Sequence, residues 1–158
     1  MDIVRVNEEN KCEVIEFIEN YLKVKDIDVD VIKNASFVLE ENEVIGLLSF
    51  EQFCKIGLVR YFVFKKIVDS NIVYELLESV IESAKEKGIT SLTTIVNNEG
   101  VKRIFKELGF DEIDSKYVYI EEDNLLNTKY KDSSVFKLEI IWPVGSFFVK
   151  NNLLYIIY

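Results

Sequence analysis

Residues 56–64, 71–88 and 92–96 are an apolar run, an amphipathic stretch and a β-branched run in immediate succession, and that order leaves few architectures open. In the middle stretch Ile72, Val73, Leu76, Leu77, Val80, Ile81 and Ala84 recur at spacings of three and four, which places them on one face of a helix. Lys85, Lys87 and Gly88 form its C-terminal stop. The first run is rich in Val, Ile, Tyr and Phe, as in a central strand covered on both faces, with Arg60 its one interruption. Leu92, Thr93, Thr94, Ile95 and Val96 read as a second strand. A strand, a helix of this length and another strand close as a right-handed crossover between parallel neighbours.

The flanking sequence extends this unit. Residues 2–6 read as a first strand, and 9–22 as a helix with Val14, Ile15, Ile18, Tyr21 and Leu22 on one face. Two short apolar runs, 36–39 and 44–50, are joined by Glu40, Glu41, Asn42 and Glu43, a polar hairpin connection in which Asn42 tolerates a left-handed backbone. Residues 23–34 have no clean period and suit a surface loop or a short helix. Asn98 stands where a cap opens a further helix, with Val101, Ile104, Phe105 and Leu108 on its face and Gly109 at its end. Residues 110–121 and 134–140 read as two closing strands, the second alternating Phe136, Leu138 and Ile140 with Lys137 and Glu139.

A chain of 158 residues buries roughly two thirds of its unfolded surface and needs no disulfide or metal to hold its core. With no repeat and no Pro/Gly/Ser-rich linker, a single soluble domain is expected over 1–141, followed by an apolar extension over 142–158. No apolar stretch approaches the ~20 residues that span a bilayer, and no secretory start is seen, so a cytoplasmic location and reduced Cys12 and Cys54 are expected. A net charge of −9 argues against nucleic acid, whose phosphates need clustered Lys and Arg. It favours cationic ligands at long range, although solubility alone also accounts for it. Histidine is absent, which excludes Ser-His-Asp and Cys-His nucleophiles and histidine-bound zinc. Asp26, Asp28 and Asp30 alternate without the glycine and terminal glutamate of a calcium loop, so no metal is expected and the segment reads as solvated.

Four motifs in order, Glu75-Leu76-Leu77-Glu78, Ala84-Lys85-Glu86-Lys87-Gly88-Ile89, Asn98-Glu99-Gly100-Val101 and Phe105-Lys106-Glu107-Leu108-Gly109-Phe110, resemble the core of the GNAT superfamily of acyl-CoA N-acyltransferases. The similarity continues more weakly over residues 1–141. The resemblance implies an α/β fold: a mixed, mostly antiparallel sheet of about seven strands, parallel between the fourth and fifth, flanked by about four helices, to which the sequence beyond it adds a hairpin-like C-terminal extension. It also implies acetyl-CoA or another acyl-CoA as co-substrate and a small-molecule or protein amine as acceptor, while the net charge and the short tail with its Lys150, Asn151 and Asn152 argue against a nucleic acid or membrane partner.

In that family the turn after the fourth strand reads Gln/Arg-x-x-Gly-x-Gly/Ala, and its backbone N–H groups hold the diphosphate of coenzyme A at a helix start. The matching positions here are Val68, Asp69, Ser70, Asn71, Ile72 and Val73, without the arginine or either glycine. Asn71 can take a left-handed backbone and Ser70 can offer a hydroxyl, whereas a carboxylate at Asp69 repels phosphate. Asp69 or Ser70 as an ordinary N-cap is the competing reading. Lys65 and Lys66 offer a partial offset as flexible point charges. The resemblance assigns the pantetheine arm to the main chain of Tyr61, Phe62 and Val63, and the cofactor-binding set is completed by Asn98 and Phe105. Asn98 matches the family, but Phe105 replaces the tyrosine that often protonates the leaving thiolate and carries no hydroxyl. For the general base, Glu51 and Tyr61 are the candidates, each balanced by a plainer role as surface charge and packed aromatic.

The extension reads as a hairpin, with Ser146 to Val149 and Leu153 to Tyr158 joined by Lys150, Asn151 and Asn152. So apolar an end must be covered, by its own sheet or by a second subunit, and the homodimer is preferred because the family core closes without it. Two functions follow: N-acyl transfer from acyl-CoA to an amine, or a catalytically inactive GNAT-like binding or assembly domain.

Overall fold

The computed structural model describes residues 1–140 and the backbone of 154–156. The chain divides into two compact units, Met1–Gln52 with Val59–Gly88, and Phe53–Leu58 with Ile89–Tyr158. The first contains strand β1 (Asp2–Arg5), helices α1 (Lys11–Leu22) and α2 (Val29–Ile32), strands β2 (Ser36–Glu40) and β3 (Glu43–Phe53, through Gln52), most of β4 (Ile56–Phe64) and helix α3 (Ser70–Glu86). β1 and β2 pair antiparallel from Asp2↔Leu39 to Arg5↔Ser36, and β2 and β3 form a hairpin from Ser36↔Leu48 to Glu40↔Glu43. Its turn has positive φ at both Glu41 (50°) and Asn42 (67°), the backbone a tight two-residue hairpin requires.

The core of this unit forms where α1 and α2 meet one face of its strands: Val14, Ile18, Ile32, Phe37 and Leu47 are all fully buried there. Asp28 caps α2 by accepting from the Asp30 N–H at 2.9 Å, so residues expected as loop or short helix contain a helical turn that buries Val31 and Ile32. Below it the buried Asn34 donates from Nδ2 to the Phe50 carbonyl at 2.9 Å, and the Ser49 hydroxyl donates to the Val31 carbonyl. These bonds satisfy polar groups that would otherwise cost roughly 1–3 kcal/mol each. Helix α3 buries Leu76, Leu77, Val80 and Ala84, the face its spacing predicts, and its Ser79 hydroxyl shares a 2.7 Å hydrogen bond with the Ser36 hydroxyl.

The second unit holds the start of β4, strand β5 (Ser91–Val96), helix α4 (Glu99–Glu107), strands β6 (Asp111–Ile113), β7 (Val118–Ile120), β8 (Asp123–Asn124) and β9 (Ser134–Glu139), and strand β10 (Leu154–Ile156). β4 and β5 pair in parallel at Ile56↔Ser91, Gly57↔Leu92 and Leu58↔Thr93. β5 then pairs with β9 along its whole length, from Ser91↔Glu139 to Val96↔Ser134. The seven-stranded sheet has the order β1-β2-β3-β4-β5-β9-β6, and a smaller sheet has the order β10-β7-β8. A mixed, mostly antiparallel sheet with a parallel β4/β5 pair and four α-helices among the described residues agrees with the architecture the resemblance implies.

Two expectations need correction, and a third lies mostly outside the described residues. Residues 110–121 are not one strand: Asp114 accepts from the Lys116 N–H at 3.1 Å and starts a 3-10 turn over Ser115–Tyr117. The chain therefore leaves the edge of β9 after Ile113↔Val135 and enters the smaller sheet as β7. Residues 56–64 do form one strand, but only Gly57 and Leu58 are buried, and the stretch from Tyr61 to Phe64 is half-buried. The hairpin expected over 146–158 lies outside the described residues except for Leu154–Ile156, which pairs in parallel with β7. Among the described residues no helix is long and apolar enough to cross a membrane, and no group of His, Cys, Asp or Glu gathers as for a metal ion.

Thr93 Oγ1 is buried without a hydrogen-bond partner among the described residues. Thr93→Val should remove that desolvation cost and raise stability by about 1 kcal/mol, read as a melting temperature about 2–4 °C higher. A lower melting temperature would mean that the hydroxyl has a partner in solution.

Candidate functional site

β4 is not a regular strand. Tyr61 has φ of 53°, a left-handed conformation that bulky side chains avoid because Cβ crowds the following carbonyl. One such residue within a strand turns the main chain out of its pleat, as a bulge does. Its place is three residues beyond Leu58, the last β4 residue in the parallel register with β5. The neighbouring structure holds the strain in place. The Tyr61 ring packs on the α1 core cluster, Phe62 and Phe64 meet edge to face at 5.8 Å, and the Tyr21 hydroxyl donates to the Phe64 carbonyl at 3.3 Å. The Lys65 N–H donates to the Ile45 carbonyl at 2.9 Å, rejoining β3. The segment Tyr61, Phe62 and Val63 is thus an irregular stretch of main chain fixed at both ends.

The loop after β4 carries a negative charge at the start of α3. Asp69 is the N-cap, with extended backbone and a side chain accepting from the Asn71 N–H at 2.8 Å. Ser70 opens the helix, and Ile72 donates its N–H to the Asp69 carbonyl at 3.0 Å. The plainer reading of Asp69 therefore describes its geometry, and the carboxylate occupies an N–H that an anion at this helix start would use. Both lysines before the loop are engaged elsewhere: Lys65 pairs with Glu43 at 2.9 Å, and Lys66 with Glu40. The Lys65 ammonium holds the exposed Glu43 carboxyl below its ordinary pKa, chiefly through their hydrogen bond.

Glu51 on β3 contacts Arg60 on β4 at 2.7 Å, so the candidate base is held by a guanidinium. It also lines a pocket of about 350 Å³ with Asn34, Gln52 and Lys87. Tyr61, the other candidate, keeps its packed-aromatic role as well as its strained backbone. In the second unit Asn98 caps α4 by accepting from the Val101 N–H at 3.1 Å. Phe105 is buried and meets Phe110 edge to face at 5.1 Å, the packing its apolar ring suggests. Sequence reasoning missed the left-handed backbone at Tyr61, since no glycine or asparagine marks it. It also missed the two lysine pairs, because their partners lie on a hairpin more than 20 residues earlier.

The chain has the fold of the GNAT acetyltransferases. It is similar to aminoglycoside 6'-acetyltransferase type Ii, with 12% identity over 91% of this chain and 100% of that one and a TM-score of 0.66. A probable acetyltransferase from Staphylococcus epidermidis is similar at 18% identity over 89% of this chain and 99% of that one, with a TM-score of 0.60. N-acetylglutamate synthase from Neisseria gonorrhoeae, complexed with coenzyme A and N-acetyl-glutamate, is similar at 18% identity over 89% of this chain, with a TM-score of 0.59. This chain spans about a third of that protein's length, covering 35% of it. A scan against protein-family models finds no match, and a search of curated proteins finds none.

Proposed function

We propose that the chain is an N-acyltransferase that moves an acetyl or other acyl group from acyl-CoA to an amine. The observation that supports this reading is the left-handed backbone at Tyr61, which breaks the regular pleat of β4 at the start of the segment Tyr61, Phe62 and Val63. Fixed main-chain groups can pair with the amides of a pantetheine arm and offer an N–H to a developing oxyanion, and neither contact depends on side-chain identity. Acyl-CoA supplies the activated thioester. The amine nitrogen attacks its carbonyl carbon, the C–S bond breaks, and coenzyme A leaves as a thiolate. Glu51, positioned by Arg60 at 2.7 Å, takes the proton the amine loses. Phe105 has no proton to give, so the thiolate takes one from solvent.

A second reading, a GNAT-like binding or assembly domain without catalysis, is favoured by the Asp69 carboxylate on the first turn of α3. Main-chain groups at Tyr61 suit pantetheine, whereas the charge at Asp69 opposes the diphosphate. Titration with acetyl-CoA and coenzyme A, followed by melting temperature, separates the two. At ten times its dissociation constant a ligand adds about 1.4 kcal/mol, a rise of about 3–6 °C for a chain of this size. No rise with either compound at millimolar concentration would remove the transferase reading and leave the fold unaffected.

A further inference from the structure

The 350 Å³ pocket between α2, the end of β3 and Lys87 has the volume of a small-molecule site, for which roughly 300–1,000 Å³ is usual. Its charges are divided. Lys87 is exposed as a residue, but its ammonium reaches the pocket, donating to the Asn34 Oδ1 and lying 5.6 Å from the centre of the Phe50 ring. Among the described residues it pairs with no carboxylate, so its partners within the protein are a neutral carbonyl oxygen and a ring face. Lost hydration lowers its pKa, Glu86 opposes that, and the neighbouring positive charges of Arg5 and Lys33 add to it. An ammonium in such surroundings gains from a ligand anion.

The remaining charged lining is Asp28, Asp30 and Glu51 with one further cation, Lys33. Asp28 and Glu51 lie on the same pocket, each with one oxygen in use, Asp28 Oδ1 on the Asp30 N–H and Glu51 Oε2 on Arg60. Asp30 is paired with Lys33 at 3.3 Å and is the less available carboxylate. Val31 contributes an apolar side chain. A simple anion would be drawn to Lys87 and repelled by the two carboxylates, and a simple cation would meet the reverse. Only a ligand carrying both charges meets complementary groups at each end.

We propose that this pocket binds a small α-amino-acid zwitterion, its carboxylate on Lys87 and its ammonium toward Asp28 and Glu51. The site shares Glu51 with the proposed acyl transfer, but binding is read with no thioester present, so the two can fail separately. The test titrates the full chain with L-norvaline, with pentanoate, which lacks the ammonium, and with butylamine, which lacks the carboxylate. The side-chain amide NMR signals of Asn34 and Gln52 report occupancy locally. Norvaline should bind about tenfold more tightly than either single-charge analogue, the value of one charge-assisted contact. Lys87→Met should abolish the advantage over butylamine. Asp28→Ser, which keeps an oxygen to cap α2, should weaken norvaline and leave pentanoate unchanged or tighter. If norvaline and pentanoate bind equally, the pocket is a plain anion site and the proposal fails. It fails too if the folded wild-type chain shows no norvaline-induced shift at millimolar concentration, or if Lys87→Met binds norvaline as well as wild type does.

Discussion

Asp69→Ser should tighten coenzyme A binding at least about tenfold while changing fold stability by no more than about 1 kcal/mol. Serine caps a helix about as well as aspartate, so the Asn71 N–H that Asp69 now holds at 2.8 Å would keep an oxygen partner. What disappears is the charge, together with its favourable interaction with the helix dipole, about 0.3–1 kcal/mol. For a diphosphate seated on the first turn of α3, a carboxylate about 5 Å away costs roughly 1.7 kcal/mol against two negative charges, even at the dielectric constant of water. Less screened surroundings raise that cost. Lys65 and Lys66 do not cancel it, since their ammonium groups are committed to Glu43 and Glu40. The gain should shrink in 1 M salt, where the screening length falls to about 3 Å. Calorimetric titration of both proteins at low and high salt reads it directly. Equal affinities throughout would mean that the diphosphate does not sit on this helix, and the phosphate-loop assignment of 68–73 would fall.

The contrast between Asp69 and Tyr61 shows which parts of the molecule local sequence encodes. Helix caps are short-range: Asp69 bonds two residues ahead and Asn98 three, so the residue type at the expected boundary suffices. The apolar face of α3 and the hairpin at Glu41 and Asn42 are local in the same sense, and their reading agrees with the structure. The insertion of β9 between β5 and β6 is not local. Nothing in Phe136 or Leu138 names its partners, and the strand order is seen only in the structure. The error over 110–121 arose because Asp114 looks like a polar position of an alternating strand, while its side chain instead closes a turn onto Lys116. Tyr61 is a harder case. A left-handed backbone is usually marked by glycine or asparagine, but here it falls on an aromatic packed against the α1 core, so the feature on which the proposed function rests leaves no mark in composition.

Gly46→Ala should destabilise the chain by about 2–3 kcal/mol, lowering the melting temperature by roughly 5–10 °C. Gly46 lies in β3, and a Cβ there would stand 2.7 Å from Phe64 Cε1 and 2.9 Å from the Val63 carbonyl oxygen, with Phe64 Cδ1 closer still. The glycine thus lets β4 approach β3 more closely than a side chain permits, just beyond the left-handed turn at Tyr61. Phe64 cannot simply swing aside, because it meets Phe62 edge to face and its carbonyl accepts from the Tyr21 hydroxyl. Adding Phe64→Ala should recover part of the loss. The recovery should be incomplete, because the Val63 carbonyl is main chain and stays in the way. Full recovery would mean that the ring alone set the spacing, and a neutral Gly46→Ala would mean that β3 and β4 lie farther apart than described. Since Val63 belongs to the stretch proposed to hold the pantetheine arm, the folded fraction of Gly46→Ala should also bind coenzyme A more weakly. A variant that lost stability yet kept wild-type affinity would separate the packing of β4 from ligand binding and count against the Tyr61 to Val63 segment as the binding element.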